Sequence, residues 1–187
     1  MKNVYIDKKI HEFMENHLTE HRIKHVYAVK DVAISLSSLY REDERKAEIA
    51  ALCHDLFKCF DTKTANSYVR KYHLDSKYLD NIDLSHSKLA AAYAEKDLQI
   101  KDRDILNAIS FHTTGRAGMS RLEKIIYLSD AIEPNRTYEE VDKIRHMSKI
   151  DLDKAVLMTL EGSIAMLSKQ GKYIDPDTID AINFMKK

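Results

Sequence analysis

Titratable side chains sit on the apolar stripes of this chain's helical segments, and that placement restricts its folds more than any other feature. His25, the adjacent pair His54-Asp55, His86, His112 and Asp130 all fall where apolar residues recur at helical spacing. A His or Asp turned inward is costly unless it is paired. The segments that carry these residues must therefore meet around a shared centre. Adjacent residues on a helix point about 100° apart. His54 and Asp55 can hold one ion only if partners arrive from other helices. The dipeptide alone is weak evidence, since with 9 His among 187 residues and Asp common, such a pair arises about once by chance. Its context is stronger: Ala47, Ala51, His54 and Asp55 share one face at i, i+4, i+7 and i+8.

The chain reads as a string of helices. Only 4 Gly and 2 Pro occur, which favours an all-α fold over a turn-rich sandwich. The periodicity predicts a first helix over about 6–18. A second starts near Arg22 with Val26, Val29, Ala33, Leu36 and Tyr40 on one stripe. A third covers about 43–58, and a more polar fourth 61–72. Ser85 is the expected N-cap of the helix carrying His86. Asp102 is the expected start of the helix that ends at His112, and the stretch 113–118 then breaks the pattern. Ser120 and Glu123 form a capping box for a helix through Asp130, stopped by Pro134. Thr137 and Glu140 are expected to cap another. A long helix follows over about 151–169, Gly171 stops it, and a short segment after Pro176 closes the chain. No window alternates like a strand. One domain is expected over 1–187, with a metal-binding core at about 19–136 and C-terminal helices at about 137–187.

Formal net charge is +0, so nothing marks a bulk nucleic-acid binder or a polybasic membrane protein. Cys53 and Cys59 flank the His-Asp pair; they suggest core packing, not ligands or a disulfide framework. With no signal-peptide pattern and no apolar run of transmembrane length, a reducing cytoplasm is expected. Oligomeric state is left open, a homodimer included.

His25, His54, Asp55 and Asp130 have the imidazole and carboxylate mixture that suits a first-row transition metal. Singly, each is as readily a satisfied core residue. Together, several inward titratable groups on separate helices are hard to satisfy without a common ion. His86 and His112 read either as ligands of a second ion or as phosphate contacts. Lys58 follows Asp55 by three residues and shares its side of the helix. The run His112-Thr113-Thr114-Gly115-Arg116 offers hydroxyls, a permissive glycine and a guanidinium to an anion. Arg22, three residues before His25, and Arg136, just after Pro134, add forks suited to phosphate. Cations gathered around a metal imply a polyanionic substrate.

The set His25, His54-Asp55 and Asp130 resembles the pattern of the HD-domain phosphohydrolases. The flanking sequence is similar to their YqeK branch in four stretches: Glu20-His21-Arg22-x-x-His25; 47–58 around His54-Asp55; His112-Thr113-Thr114-Gly115-Arg116-x-Gly118-Met119; and 122–136 around Asp130. The resemblance covers roughly 19–178. It implies a helical bundle that binds iron, with manganese or another divalent transition metal as the alternative. It also implies symmetrical hydrolysis of diadenosine tetraphosphate to two ADP. His25, His54, Asp55 and Asp130 would be the iron ligands. Arg22, Lys58, His86, His112, Thr113 and Arg136 would line the nucleotide and phosphate site. In one departure, Ala90 stands where the family usually has glycine, so a modest packing change is expected there. Metal-assisted attack of water on a phosphoanhydride fits this set. Asp55 would orient the water, and Lys58, His86, His112 and Arg136 would stabilise charge. His86 and His112 are both candidate general acids. Two other readings remain at this level: a phosphohydrolase of mononucleotides or cyclic nucleotides, and a non-catalytic nucleotide sensor.

Overall fold

The computed structural model describes residues 2–187, with the side chains of residues 6–187. Ten α-helices follow in chain order: α1 (Lys2–His17), α2 (Glu20–Tyr40), α3 (Glu44–Cys53), α4 (Thr62–Lys71), α5 (Ile82–Lys96), α6 (Arg103–Phe111), α7 (Arg121–Ile132), α8 (Val141–Met147), α9 (Leu152–Lys169) and α10 (Pro176–Met185). A single 3-10 turn, Ser76–Tyr78, lies between α4 and α5, and no strand occurs among the described residues. The fold is all-α, as its periodicity predicts. None of these helices is long and apolar enough to cross a membrane.

Polar caps set most of the helix starts. The side chains of Thr19, Asp43, Asp61, Asp102, Asp151 and Asp175 each accept a backbone N–H in the first turn of the helix that follows. Ser120 and Glu123 form the expected reciprocal capping box on α7. Two expected caps are corrected. Asn81, not Ser85, caps α5, and Ser85 is buried one turn inside it. Asn81 lies before Ile82 and can turn the chain in, whereas Ser85 already has a helical neighbour on each side. Thr137 and Glu140 form no box: α8 starts after Glu140 with no side-chain cap. Arg145 instead ties the preceding loop down, donating to the carbonyls of Ile132, Glu133 and Arg136 at 2.7–2.9 Å.

The third helix is also shorter than expected. It ends at Cys53, and 54–59 continue as successive turns. Their backbone bonds run from Leu56 to Cys53, Lys58 to Asp55 and Phe60 to Phe57, three residues back instead of four. Leu56 and Phe57 are still fully buried. The apolar pattern thus continues past the true helix end, and periodicity cannot see the change in winding.

α2 is the central element and packs on both α3 and α7; α6 packs on α3, α5 and α7. The core between them is built from small and branched residues, including Ala33, Ala47, Ala50, Ala51, Val29 and Ile109. Alanines on facing helices let the backbones approach closely, which brings the ligand-bearing faces together. Ala90 is fully buried on α5, so its methyl is part of this packing. α9 covers α7 from the far side, and α10 and α8 pack on α9.

Candidate metal centre

Five helices deliver one or more side chains to a single buried centre. His25 comes from the middle of α2 and His86 from α5. His54 and His112 are the C-cap residues of α3 and α6. Asp130 lies in the last turn of α7, and Asp55 in the turn after α3. The C-terminal ends of α3, α6 and α7 therefore point at the same place. Helix C-termini carry partial negative charge. A carboxylate such as Asp130 is disfavoured there, unless cations offset it.

Each histidine uses Nδ1 on the protein. His54 donates to the Ala51 carbonyl (2.6 Å), His112 to Ile109 (2.8 Å) and His86 to Ile82 (2.9 Å). His25 Nδ1 lies 3.2 Å from Glu133 Oε1. Carbonyls only accept, so these rings carry the proton on Nδ1 and present a lone pair at Nε2. For His54 and His112 the acceptors are carbonyls left unpaired in the last helical turn. All the Nε2 atoms then face carboxylate oxygens. His25 Nε2 is 3.1 Å from Asp130 Oδ1 and 3.6 Å from Asp55 Oδ2, and His54 Nε2 is 3.5 Å from Asp55 Oδ2. On the other side of Asp55, Oδ1 is 3.3 Å from His86 Nε2 and 3.6 Å from His112 Nε2. His86 and His112 bring their Nε2 atoms within 3.2 Å of each other.

Lone pairs facing lone pairs in a buried place repel unless a cation lies between them. The Nε2 atoms of His25 and His54 are wholly buried with no hydrogen-bond partner. These orphaned atoms fit a metal. Ligand atoms within 4.8 Å of one another fall into the groups His25, His54 and Asp55; His54, His112 and Asp130; and Asp55, His86 and His112. Asp55 offers one oxygen to each side.

Electrostatics favour the ligating protonation states. Burial pushes the His54 imidazole down to about 4, and also lowers His86. Burial alone would raise Asp55, but His54, His112 and His86 around it hold its carboxyl well below the usual range. Asp130 is held down in the same way against burial, by His25 and His54. Neutral imidazoles and ionised carboxylates are the forms that bind metal. Burial pushes the Cys53 thiol up to about 12, so it stays a packed, unreactive group. Cys59 is exposed, so only one of the two cysteines is core packing.

Of the expected cations, Arg22, Lys58 and Arg136 border the centre. Arg22 Nη1 donates to Asp55 Oδ2 at 2.7 Å. Arg136 donates through Nη2 to Asp130 Oδ1 at 2.6 Å and through Nε to the Asp130 carbonyl at 2.9 Å, and its side chain keeps 38% exposure. Lys58 makes a 3.3 Å surface pair with Asp83. Thr113 Oγ1 lies 3.3 Å from both His86 Nε2 and His112 Nε2. Arg116 is turned elsewhere: its guanidinium grips buried Glu123 through two bonds of 2.7 and 2.6 Å and rests on the Phe111 ring. It anchors the loop where Gly115 and Gly118 adopt positive φ.

One residue of the site carries no assignment from the sequence. Glu133 is buried and faces His25 Nδ1, and its other oxygen accepts from the backbone and side-chain N–H groups of Asn135. Its signal was a carboxylate three residues after Asp130, immediately before Pro134. Near a helix end such a residue reads as solvated, and only the arrival of α2 gives it a partner.

A family model described as the HD domain matches residues 22–135. The chain belongs to the HD-domain family, in its YqeK-type branch of phosphohydrolases. A relative from Halalkalibacterium halodurans is named a symmetrical bis(5'-nucleosyl)-tetraphosphatase. It is 42% identical over 173 residues, 92% of each chain. A protein of the same name from Bacillus subtilis is 35% identical over 92% of this chain and 93% of its own. A solved structure from Clostridium acetobutylicum, described as a predicted HD superfamily hydrolase involved in NAD metabolism, superposes with a TM-score of 0.89. It is 39% identical and covers 96% of both chains.

Proposed function

We propose that this protein is a metal-dependent hydrolase that cleaves diadenosine tetraphosphate symmetrically to two ADP. The observation that carries the reading is the convergence of four histidine lone pairs on two carboxylates, bordered by Arg22, Lys58 and Arg136. A purely structural ion would not need those cations. The names of the near-full-length relatives supply the substrate. His25, His54, Asp55 and Asp130 are the proposed iron ligands, and their mixed nitrogen and oxygen donors support a transition ion. His86 and His112 would either contact phosphate or hold a second ion together with Asp55. The C-terminal helices 137–187 belong to the same domain, supported by the packing of α9 on α7. Action in the cytoplasm is supported by two free thiols.

A bound divalent ion supplies Lewis acidity to a phosphoryl oxygen and eases deprotonation of water. The protein supplies position and charge. Arg22 holds the Asp55 carboxylate in place, and Asp55 would orient the attacking water by accepting a hydrogen bond from it. Arg136 fixes Asp130 through Nε and Nη2, which leaves Nη1 for a phosphate oxygen. The Thr113 hydroxyl, beside His86 and His112, would pair with a further phosphate oxygen, and Lys58 would do so on leaving its surface pair with Asp83. The water oxygen joins one of the two central phosphorus atoms, and the central bridging oxygen leaves with the other ADP. A terminal phosphate has its second pKa at about 6, so ADP departs as an anion without a general acid. That suits His86 and His112, whose outward nitrogens carry lone pairs instead of protons.

The test is anaerobic purification, metal analysis and chromatography of products at low conversion on one sample. ADP is the only early nucleotide product expected, and Asp55→Ala loses both turnover and most of the metal. Equal early AMP and ATP, or faster turnover of mononucleotides or cyclic dinucleotides, overturns the reading.

A further inference from the structure

The loop between α6 and α7 is held from several sides. Its first turn closes where the Gly115 N–H donates to the Phe111 carbonyl at 2.8 Å, and the Thr114 hydroxyl donates to the Gly115 carbonyl at 2.9 Å. Gly115 has a φ of +65°, and a Cβ there would stand 3.3 Å from Leu160 of α9 and 3.4 Å from Met119. Glycine suits both that backbone and that space. A Cβ on Gly118 would stand 3.8 Å from Phe184 of α10. The Arg116 guanidinium grips Glu123 of α7 and lies 5.2 Å from the centre of the Phe111 ring. Lys88 of α5 places Nζ 3.6 Å from the same ring centre and donates to the Ser110 hydroxyl at 3.1 Å.

The Arg116–Glu123 pair is a costly way to hold a loop. Glu123 is buried, and desolvation of a carboxylate offsets most of the attraction to its partner. Packed apolar side chains of equal volume stabilise such a place as well or better. Nor does the helix require this geometry. Glu123 completes the capping box of α7, yet its Oε1 stands 3.4 Å from the Ser120 nitrogen and 2.6 Å from Arg116 Nη2. The carboxylate leans toward the guanidinium. Two parallel charged bonds supply direction, because a bidentate pair fixes a guanidinium in plane and in distance. Three positions before Arg116 stands Thr113, the middle residue of the closed turn. Its Oγ1 is 3.3 Å from both His86 Nε2 and His112 Nε2.

We propose that Arg116 and Glu123 are positioning residues for the reaction: their ion pair fixes the turn that aims the Thr113 hydroxyl at a phosphate oxygen of the bound substrate. The inference rests on the hydrolase reading above and gives Arg116 an indirect role in place of direct substrate contact. A hydroxyl has a single proton to donate. Its placement decides whether that proton reaches a phosphate oxygen. A shift of about 1 Å at such a group can lower a rate about a hundred-fold.

A double-mutant cycle on the metal-loaded protein tests this. Arg116→Ala should lower kcat/KM for diadenosine tetraphosphate about ten-fold or more, with metal content unchanged. Thr113→Val keeps the shape, removes the hydroxyl and should lower kcat/KM about as much. In the Thr113→Val background, Arg116→Ala should then lower it by less than about two-fold further, since residues that act through one group are not additive. A purely structural pair gives the opposite pattern: losses that multiply, in step with the melting temperature. Multiplying losses overturn the proposal, as does wild-type kcat/KM in Arg116→Ala. If Arg116→Ala fails to fold because Glu123 is left unpaired, Arg116→Met combined with Glu123→Gln removes both charges at once. That combination should melt near wild type yet lose kcat/KM about ten-fold, with no further loss on Thr113→Val. Wild-type kcat/KM in the combination overturns the proposal. If wild-type protein never cleaves diadenosine tetraphosphate, the hydrolase reading falls. ADP affinity by calorimetry then replaces kcat/KM in the same cycle, and the same two patterns decide for the pair.

Discussion

Glu133 shows how one side chain behind the candidate metal ligands can orient one of them. It receives His25 Nδ1 at 3.2 Å, which turns Nε2 toward Asp130 and Asp55. A carboxylate behind a ligating imidazole fixes the ring and makes it a better donor. Glu133→Gln keeps the shape and an accepting oxygen but removes the charge. Metal affinity should fall about ten-fold, with little change in melting temperature. A competition titration with a chromogenic chelator measures it. Affinity equal to wild type would make Glu133 only an anchor for Asn135. The inward His and Asp residues that meet at this centre were legible in the sequence, because His or Asp on an apolar face is conspicuous. Glu133 was not, because its partner is 108 residues away.

At the scale of elements, the site depends on where helices stop. α3 and α6 end on their histidines, so the free carbonyls of the last turn accept from Nδ1 while the negative helix ends face the ion. α7 ends two residues after Asp130, and the loop that follows carries Glu133 and Arg136. Arg145 holds that loop through three carbonyls. Arg145→Ala should cost about 2–3 kcal/mol, since bonds from a charged donor are worth about 1.5–3 kcal/mol. For a domain of this size that is a melting point lower by about 5–10 °C. Metal affinity should fall with it. A differential scanning measurement that finds a shift below about 1 °C would mean that water replaces the guanidinium. The starts of α6 and α7 were readable from Asp102 and the Ser120–Glu123 box, whereas the caps read at Ser85 and Thr137 were not the ones used. The end of α3 was not readable, because Leu56 and Phe57 keep an apolar rhythm through turns of tighter winding.

For the molecule as a whole, the metal centre ties five helices at their point of convergence. α2, α3, α5, α6 and α7 each place a lone pair or a negative charge there, so removal of a cation leaves mutual repulsion inside the core. Stability should therefore depend on metal. With free ion at about 100 times its dissociation constant, binding adds about 2.7 kcal/mol. Chelation should lower the melting temperature by roughly 5–10 °C, and restored metal should return it. An unchanged transition after verified metal removal would mean that protons shared among these groups satisfy them without an ion.

Local sequence patterns carried the helical class, the starts of several helices at Asp43, Asp61, Asp102, Ser120 and Asp151, and the identity of the inward His and Asp residues. These follow from local rules: apolar periodicity, cap chemistry and the cost of burying an unpaired polar group. The sequence also carried the family, through long stretches around His54-Asp55 and Asp130. The packing of the helices set which oxygen of Asp55 faces which histidines, paired Arg116 with Glu123, Arg22 with Asp55 and Arg136 with Asp130, and left a recess between α9 and α7. Those choices depend on distances between residues far apart in the chain. No local pattern encodes them, because a side chain's partner is set by the helix that packs against it.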